Sequence, residues 1–311
     1  MRKRSQVAAK AGRISPMNKT TRRQLLAGFA ALTSAYGLGV ATPRIISYIK
    51  RGPYRRAINA VLPSRPVPTG LDIGQPIAKL VEAGVIDREK FMTAHEKRGP
   101  VPEWVSQALD GKSAELTFSL EVAPYNLNLL WPLGLATKAA FNEDSPINGD
   151  DLGKFASTGG WTLGEANNGA SYFDAVETLK LTPGQSDMVR RLADNVFRPC
   201  CGNSAYFQDC NHGSAMLGLM ELAAANGRNA AEILEMAKTA NGFWYPQQYV
   251  EIALYFDATE DLPWKGAPAD RVLSAKFSSI SGLHKNVREP LARQGLLTGK
   301  PQNRGGSGCA V

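Results

Sequence analysis

Between Leu127 and Ala136 the chain reads LNLLWPLGLA, its most apolar run, and no charge interrupts it. A segment of this kind must be surrounded on all sides. It is too short to cross a bilayer, which takes about 20 apolar residues, so its place is the centre of a globular core. Pro132 would kink that helix or start it.

The segments around it show helical rather than alternating periodicity. Ile77, Leu80, Val81 and Val85 fall at helical spacing, and Asp87 can cap a second helix closed by Gly99-Pro100, with His95 at a solvated helix end. Pro102-Glu103-Trp104 opens a short helix through Leu109. Leu116–Val122 reads as a strand or as an extended lead into the central helix, and Ser171–Leu179 as helical. Asn142–Asn168 is a long loop with Gly159, Gly160 and Gly164 turning around Trp161. It lacks the lysine and the strand-to-helix setting of a phosphate loop.

Thr182-Pro183-Gly184-Gln185 combines a capping hydroxyl, a first-turn proline and a glutamine three residues after the cap. Helices follow from His212 to Ala225, from Asn229 to Asn241-Gly242, from Pro246, and over roughly Ala269–Leu283. Phe243, Trp244, Tyr245, Tyr249, Tyr255 and Phe256 read as core aromatics. The expected fold is mainly α: one compact multi-helix domain with long loops, after an N-terminal signal or anchor segment. With 311 residues and 43% hydrophobic content, such a core is within reach.

Charge divides the chain sharply. No Asp or Glu precedes Asp72, and fourteen of the 36 Lys and Arg fall before it, leaving 22 against all 28 acids. The body is therefore mildly acidic, at −6, although the whole chain carries +8. A body of that sign is unsuited to neutralising phosphates, which argues against nucleic acid as a partner. The expected divisions are a signal region over 1–41, a basic segment and Pro/Gly linker over 42–74, the helical body over 75–298, and a Gly-rich tail over 299–311. Met17 offers a second start, which would make 1–16 an extension.

Thr21-Arg22-Arg23-Gln24-Leu25-Leu26, ahead of an uncharged stretch to Pro43, resembles a twin-arginine export signal. The resemblance covers about the first forty residues. It implies the twin-arginine export machinery as a partner, with Arg22 and Arg23 as the signal pair, and places the protein in the periplasm or on the outer face of the cytoplasmic membrane. Residues 44–61 mix arginines and lysine with isoleucines. They read either as a membrane-surface segment or as a solvated linker helix.

Reactive side chains concentrate in Arg198–Met220, RPCCGNSAYFQDCNHGSAMLGLM, which holds Cys200, Cys201, Cys210 and His212. Three chemistries suit that set. As metal ligands, Cys200, Cys201, Cys210 and His212 would hold a Zn or Cu ion, with Gly202 and Gly213 easing close backbone packing. As a structural site, Cys200 or Cys201 would pair with Cys210 in a short disulfide loop, at the low end of the usual ~2–4 kcal/mol. As a catalytic site, Cys210 would be a thiolate nucleophile at a helix N-terminus, activated by His212. Cys309 follows a Gly/Ser tether that spans about 15–20 Å, enough to visit the cluster as a further ligand or as a resolving thiol for Cys200 or Cys201.

Pro199-Cys200-Cys201-Gly202 with Asp209-Cys210 is partly similar to the Pro-Cys-Tyr-Cys-Gly-Cys motif of certain exported bacterial proteins. The tyrosine and the cysteine after glycine are missing here, so that motif's ligand set does not transfer. The body also resembles exported bacterial proteins with the pattern Cys-Cys-x8-Cys-x-His-Gly, a resemblance that implies no particular activity. The expectation is an exported metal-binding or redox protein of the cell envelope. A disulfide-stapled binding module and a thiol-dependent enzyme stand as alternatives, with the catalytic residues unassigned.

Overall fold

A computed structural model describes residues 52–156 and 163–297. The expected signal with Arg22 and Arg23, the loop tip with Trp161 and the tail with Cys309 lie outside the described residues.

The described residues fold as a mainly α body around two helices that are buried on nearly every face. α1 (Gly52–Val61) is followed by β1 (Val67–Asp72), α2 (Gly74–Glu82), α3 (Arg88–His95) and α4 (Glu103–Leu109). β2 (Glu115–Phe118) leads into α5 (Ala123–Ala136), the central helix. Then come the short α6 (Leu152–Ala156), α7 (Pro183–Asn195), α8 (Asn211–Ala225), α9 (Ala230–Trp244) and α10 (Pro246–Thr259). Among the described residues no helix is long and apolar enough to cross a membrane.

Every residue of α5 except Pro124 is buried, as is nearly all of α8, which packs directly on it. The two backbones approach closely because Gly134 and Gly218 face each other. A Cβ built on Gly134 would stand 1.9 Å from the Ser214 carbonyl oxygen, and one on Gly218 would stand 2.5 Å from that of Leu130. Pro132 lies inside α5 rather than at its start; burial on all sides outweighs the missing N–H. α8 follows Cys210, its N-cap, so one of the two central buried helices carries one end of the cysteine segment.

Capping follows the sequence. Asp87 accepts from the Lys90 N–H, and the capping boxes Thr182/Gln185 and Asn229/Glu232 open α7 and α9.

Four expectations need correction. The proline-rich stretch expected to be a linker contains β1, which pairs antiparallel with β2 in the register Val67↔Phe118 and Asp72↔Glu115. Gly70, at φ +67°, allows the irregularity between the paired ends. Residues 171–179 are not helical beyond a 3-10 turn, Gly169–Tyr172. Asp174 takes a left-handed conformation there, and its carboxylate accepts from the Ala139 N–H and Asn142 side chain.

The helix expected over 269–283 is broken into α11 (Ala269–Leu273), α12 (Ala275–Ser278) and α13 (Ile280–Leu283), before a π turn and α14 (Glu289–Arg293). Extended Ser274 and Ser279 make the breaks. They release the Leu273 carbonyl to accept from the Phe197 N–H at 2.7 Å, and the Ile280 N–H to donate to the Cys201 carbonyl at 2.9 Å. The breaks thus hold the cysteine segment.

His95, expected on a solvated helix end, is buried against Phe91 and stacked on Tyr125 at 4.4 Å, with the Asn128 amide donating to Nε2. The described part of the basic segment, α1, packs on α10, where Arg56 pairs with Asp257 at 2.8 Å and Ala57 and Val61 are buried.

Candidate functional site

α7 ends at Asn195, and the chain then forms a closed loop before entering α8. Backbone bonds from Ala205 to Val196 and from Tyr206 to Ala193 fold it back on its own root. At its centre lies the side chain of Arg198, 1% exposed. Its Nε donates to Cys210 Sγ at 3.3 Å, and Nη1 to the carbonyls of Asn203 and Ser204 at 3.0 and 2.7 Å. Nη2 donates to the Phe207 carbonyl at 3.1 Å and to Asp209 Oδ1. All five N–H donors of the guanidinium are used.

Asp209 Oδ2 accepts from the Asn203 amide at 2.7 Å, closing the network. Gly213 leaves room for it, since a Cβ there would meet Arg198 Nη2 at 2.6 Å.

The three thiols gather beside this cation. Cys200 Sγ and Cys210 Sγ are 3.9 Å apart, and the Tyr245 hydroxyl donates to Cys200 Sγ at 3.0 Å. Cys201 Sγ lies 4.0 Å from both the Asn203 carbonyl and Asp209 Oδ1. Contacts with the thiols of Cys200 and Cys210, together with burial, push the Cys201 thiol up, against the pull of Arg198. Burial likewise lifts the Asp209 carboxyl above the ordinary carboxylate range, with Arg198 opposing. The negative groups around it drive the Arg198 guanidinium higher still, against the opposite effect of its burial. Cys210 is buried, whereas Cys200 and Cys201 are half-buried.

The chain matches no protein-family model, no curated protein and no solved structure. What the site can do rests on its own chemistry.

His212, the remaining residue of the sequence-predicted set, is the second residue of α8. Its ring is tilted against Tyr245 at 4.8 Å and stands edge-on to Trp244 at 6.0 Å. Nδ1 meets Asn211 Oδ1 at 2.9 Å; with that oxygen accepting, Nε2 carries the lone pair. Burial lowers its pKa to about 4, with Cys210 opposing, so the imidazole is neutral near pH 7. The structure thus joins Cys200, Cys201 and Cys210 and sets His212 beside them on an aromatic floor. Among the described residues, no group of three or more His, Cys, Asp or Glu stands in a geometry that could hold a metal ion as it is placed.

Sequence reasoning assigned no part to Arg198 or Tyr245. The arginine's signal was its position, ahead of Pro199-Cys200-Cys201 with Asp209 downstream. Tyr245 is separated by 35 residues from Cys210 and reaches the site only because α9 and α10 meet there. No local pattern announces it.

Proposed function

We propose that this is an exported protein of the cell envelope whose Cys200, Cys201 and Cys210 bind a soft transition-metal ion, Zn²⁺ or copper. The observation that carries this reading is the buried Arg198, placed beside three thiols in mutual contact. Ligation needs thiolates, and a fixed cation on Cys210 favours one. The spacing is compatible with ligation: two sulfurs about 2.3 Å from a tetrahedral Zn²⁺ stand about 3.8 Å apart, close to the separation of Cys200 and Cys210. Cys201 must turn from Asn203 and Asp209 to join them. His212, with its tautomer set by Asn211 in the manner of ligating histidines, is the available fourth donor. The twin-arginine pair supports export, and a folded, loaded passenger suits that route.

A second reading has its own support. Cys200 and Cys210 need only close from 3.9 Å to the ~2.05 Å of a disulfide, a two-electron, two-proton oxidation by a thiol-disulfide partner.

Metal analysis of protein purified without reductant, paired with a free-thiol count, separates the two. The metal reading expects near-stoichiometric ion and its loss in Cys210→Ser. Folded, metal-free protein with Cys200 linked to Cys210 would overturn it. Replacing Arg22 and Arg23 by lysine is expected to retain the protein in the cytoplasm; undiminished export of that double variant would remove the export claim.

A further inference from the structure

A thiol pair and the disulfide made from it differ in what they accept. Sulfur is a weak acceptor, and a donor gains most where the sulfur can carry negative charge, which a disulfide sulfur cannot. Both sulfurs of the Cys200–Cys210 pair, 3.9 Å apart, face such a donor. The Tyr245 hydroxyl donates to Cys200 Sγ at 3.0 Å, and Arg198 Nε to Cys210 Sγ at 3.3 Å. Neither donor is free to follow a sulfur that shifts. Arg198 is fixed by the carbonyls of Asn203, Ser204 and Phe207 and by the Asp209 carboxylate. Tyr245 is the buried junction residue between α9 and α10, with its ring against His212. Closing the pair therefore weakens two bonds that the open form makes. A disulfide whose reduced form is stabilised in this way is the more easily reduced.

Cys201 is the poorer partner for either sulfur. Adjacent residues hold their Cα atoms about 3.8 Å apart, short of the ~4.4–6.8 Å that disulfides span, which disfavours a Cys200–Cys201 bond. Hydrogen bonds with the other two thiols, and then burial, push the Cys201 thiol up, and it is the thiolate that attacks.

Resting on the second reading above, we infer that Cys200 and Cys210 form a reversible, easily reduced disulfide, a redox-responsive pair rather than a permanent staple, with Tyr245 and Arg198 as the positioning residues that favour its open form. The oxidant is a disulfide-bearing molecule. A thiolate of the pair attacks one of its sulfurs and expels the other as a thiolate. The second sulfur of the pair then attacks the mixed disulfide, and the remaining thiolate leaves. Two electrons pass to the oxidant, and its two sulfurs take up the two protons that the pair gives up.

The test unfolds the full chain in urea with a chelator present and refolds it in mixtures of reduced and oxidised glutathione. Exchange thus begins while every thiol is exposed. Acid quenching, alkylation and peptide mapping then locate the bonds. Excess oxidised glutathione is expected to give the Cys200–Cys210 bond and excess reduced glutathione to open it, with the same far-UV circular dichroism in both. A pair that stays closed in excess reduced glutathione is a staple; it overturns the inference and leaves the disulfide reading intact. No bond between Cys200 and Cys210 in any mixture sinks both. Tyr245→Phe keeps the ring and removes the donor. It is expected to shift the glutathione equilibrium about five- to tenfold toward the disulfide, the worth of one hydrogen bond. The control is Tyr206→Phe, which loses a hydroxyl bond to the Phe141 carbonyl rather than to sulfur and is expected to leave the equilibrium in place. No shift in Tyr245→Phe, or an equal shift in both variants, removes Tyr245 from the role.

Discussion

Replacing Gly134 by alanine tests the packing on which the body is built. In an open helix the change is favourable by about 1 kcal/mol, because glycine loses more backbone freedom on folding. Here the methyl would stand 1.9 Å from the Ser214 carbonyl oxygen and 2.6 Å from the Gly218 nitrogen, both backbone atoms that no rotamer change can move. Non-bonded heavy atoms settle at about 3.5–4.0 Å, so α5 and α8 must part by about 1.5 Å at their tightest point. Overpacking of this kind reaches about 3 kcal/mol. Set against the propensity gain, the expected net loss is about 2 kcal/mol, a large share of the roughly 5–15 kcal/mol that holds a domain together. The control is Gly184→Ala in the first turn of α7, where a Cβ meets nothing within 4 Å. Urea unfolding of the reduced proteins, followed by circular dichroism, gives both midpoints. A Gly134→Ala midpoint equal to or above that of Gly184→Ala would refute the close approach of the two helices.

The remaining expectations are simpler. Burial, with Arg98 nearby, lowers the pKa of His95 to about 4; a histidine so depressed contributes stability that is complete above its unfolded pKa of about 6.5 and is lost as pH falls toward 4, by at most about 3 kcal/mol. His212 titrates over the same window, so the measurement is the difference between the unchanged chain and His95→Phe, whose stability should fall less steeply between pH 6.5 and 4. Thr182→Ala removes a complete capping box and is expected to lower stability by about 1 kcal/mol in the same urea assay, with Thr182→Ser restoring most of it. Metal loading of the reduced protein is expected to release about two to three protons per ion, measured by calorimetry in buffers of different ionisation enthalpy; release below one proton would mean that the thiols do not ligate as thiolates.

What the sequence discloses and what it hides have physical causes. Helix starts such as Thr182-Pro183-Gly184-Gln185 and Asn229 are legible because a cap satisfies its own backbone within three residues. The central helix is legible because ten residues without a charge have one reasonable place. The breaks at Ser274 and Ser279 are harder to read: Ser279 caps α13 by accepting from the Gly282 N–H, yet serine is too common for that to mark a break by itself. They are made worthwhile by bonds to Phe197 and Cys201, nearly eighty residues earlier. His95 misleads for the same reason: a histidine beside Glu96 and Lys97 suits a helix end in water, and only the arrival of Tyr125 and Asn128 buries it. In the cysteine segment the reactive atoms are readable from their types. The cation that organises them is a single arginine whose five donors find partners only after the loop has closed.

That arginine also limits what the site can be. Three thiolates and the Asp209 carboxylate would place four negative charges around one buried positive charge, in surroundings that screen poorly. Among the described residues, Cys200 bonds with Tyr245 and Cys210, and Cys201 meets the other thiols and lies toward Asn203 and Asp209, which are neutral or negative groups. Hydrogen bonding among the thiols and then burial push the Cys201 thiol up, and repulsion from Cys200 adds to them, so protons are kept on the cluster. Complete deprotonation demands positive charge from outside, which a metal ion brings and an organic substrate does not. A lone nucleophile would need the reverse arrangement, one thiol separated from its neighbours and a base aimed at it. His212 instead gives its Nδ1 to Asn211 and its face to Tyr245. This charge balance is the support for the metal reading proposed above over a single activated sulfur.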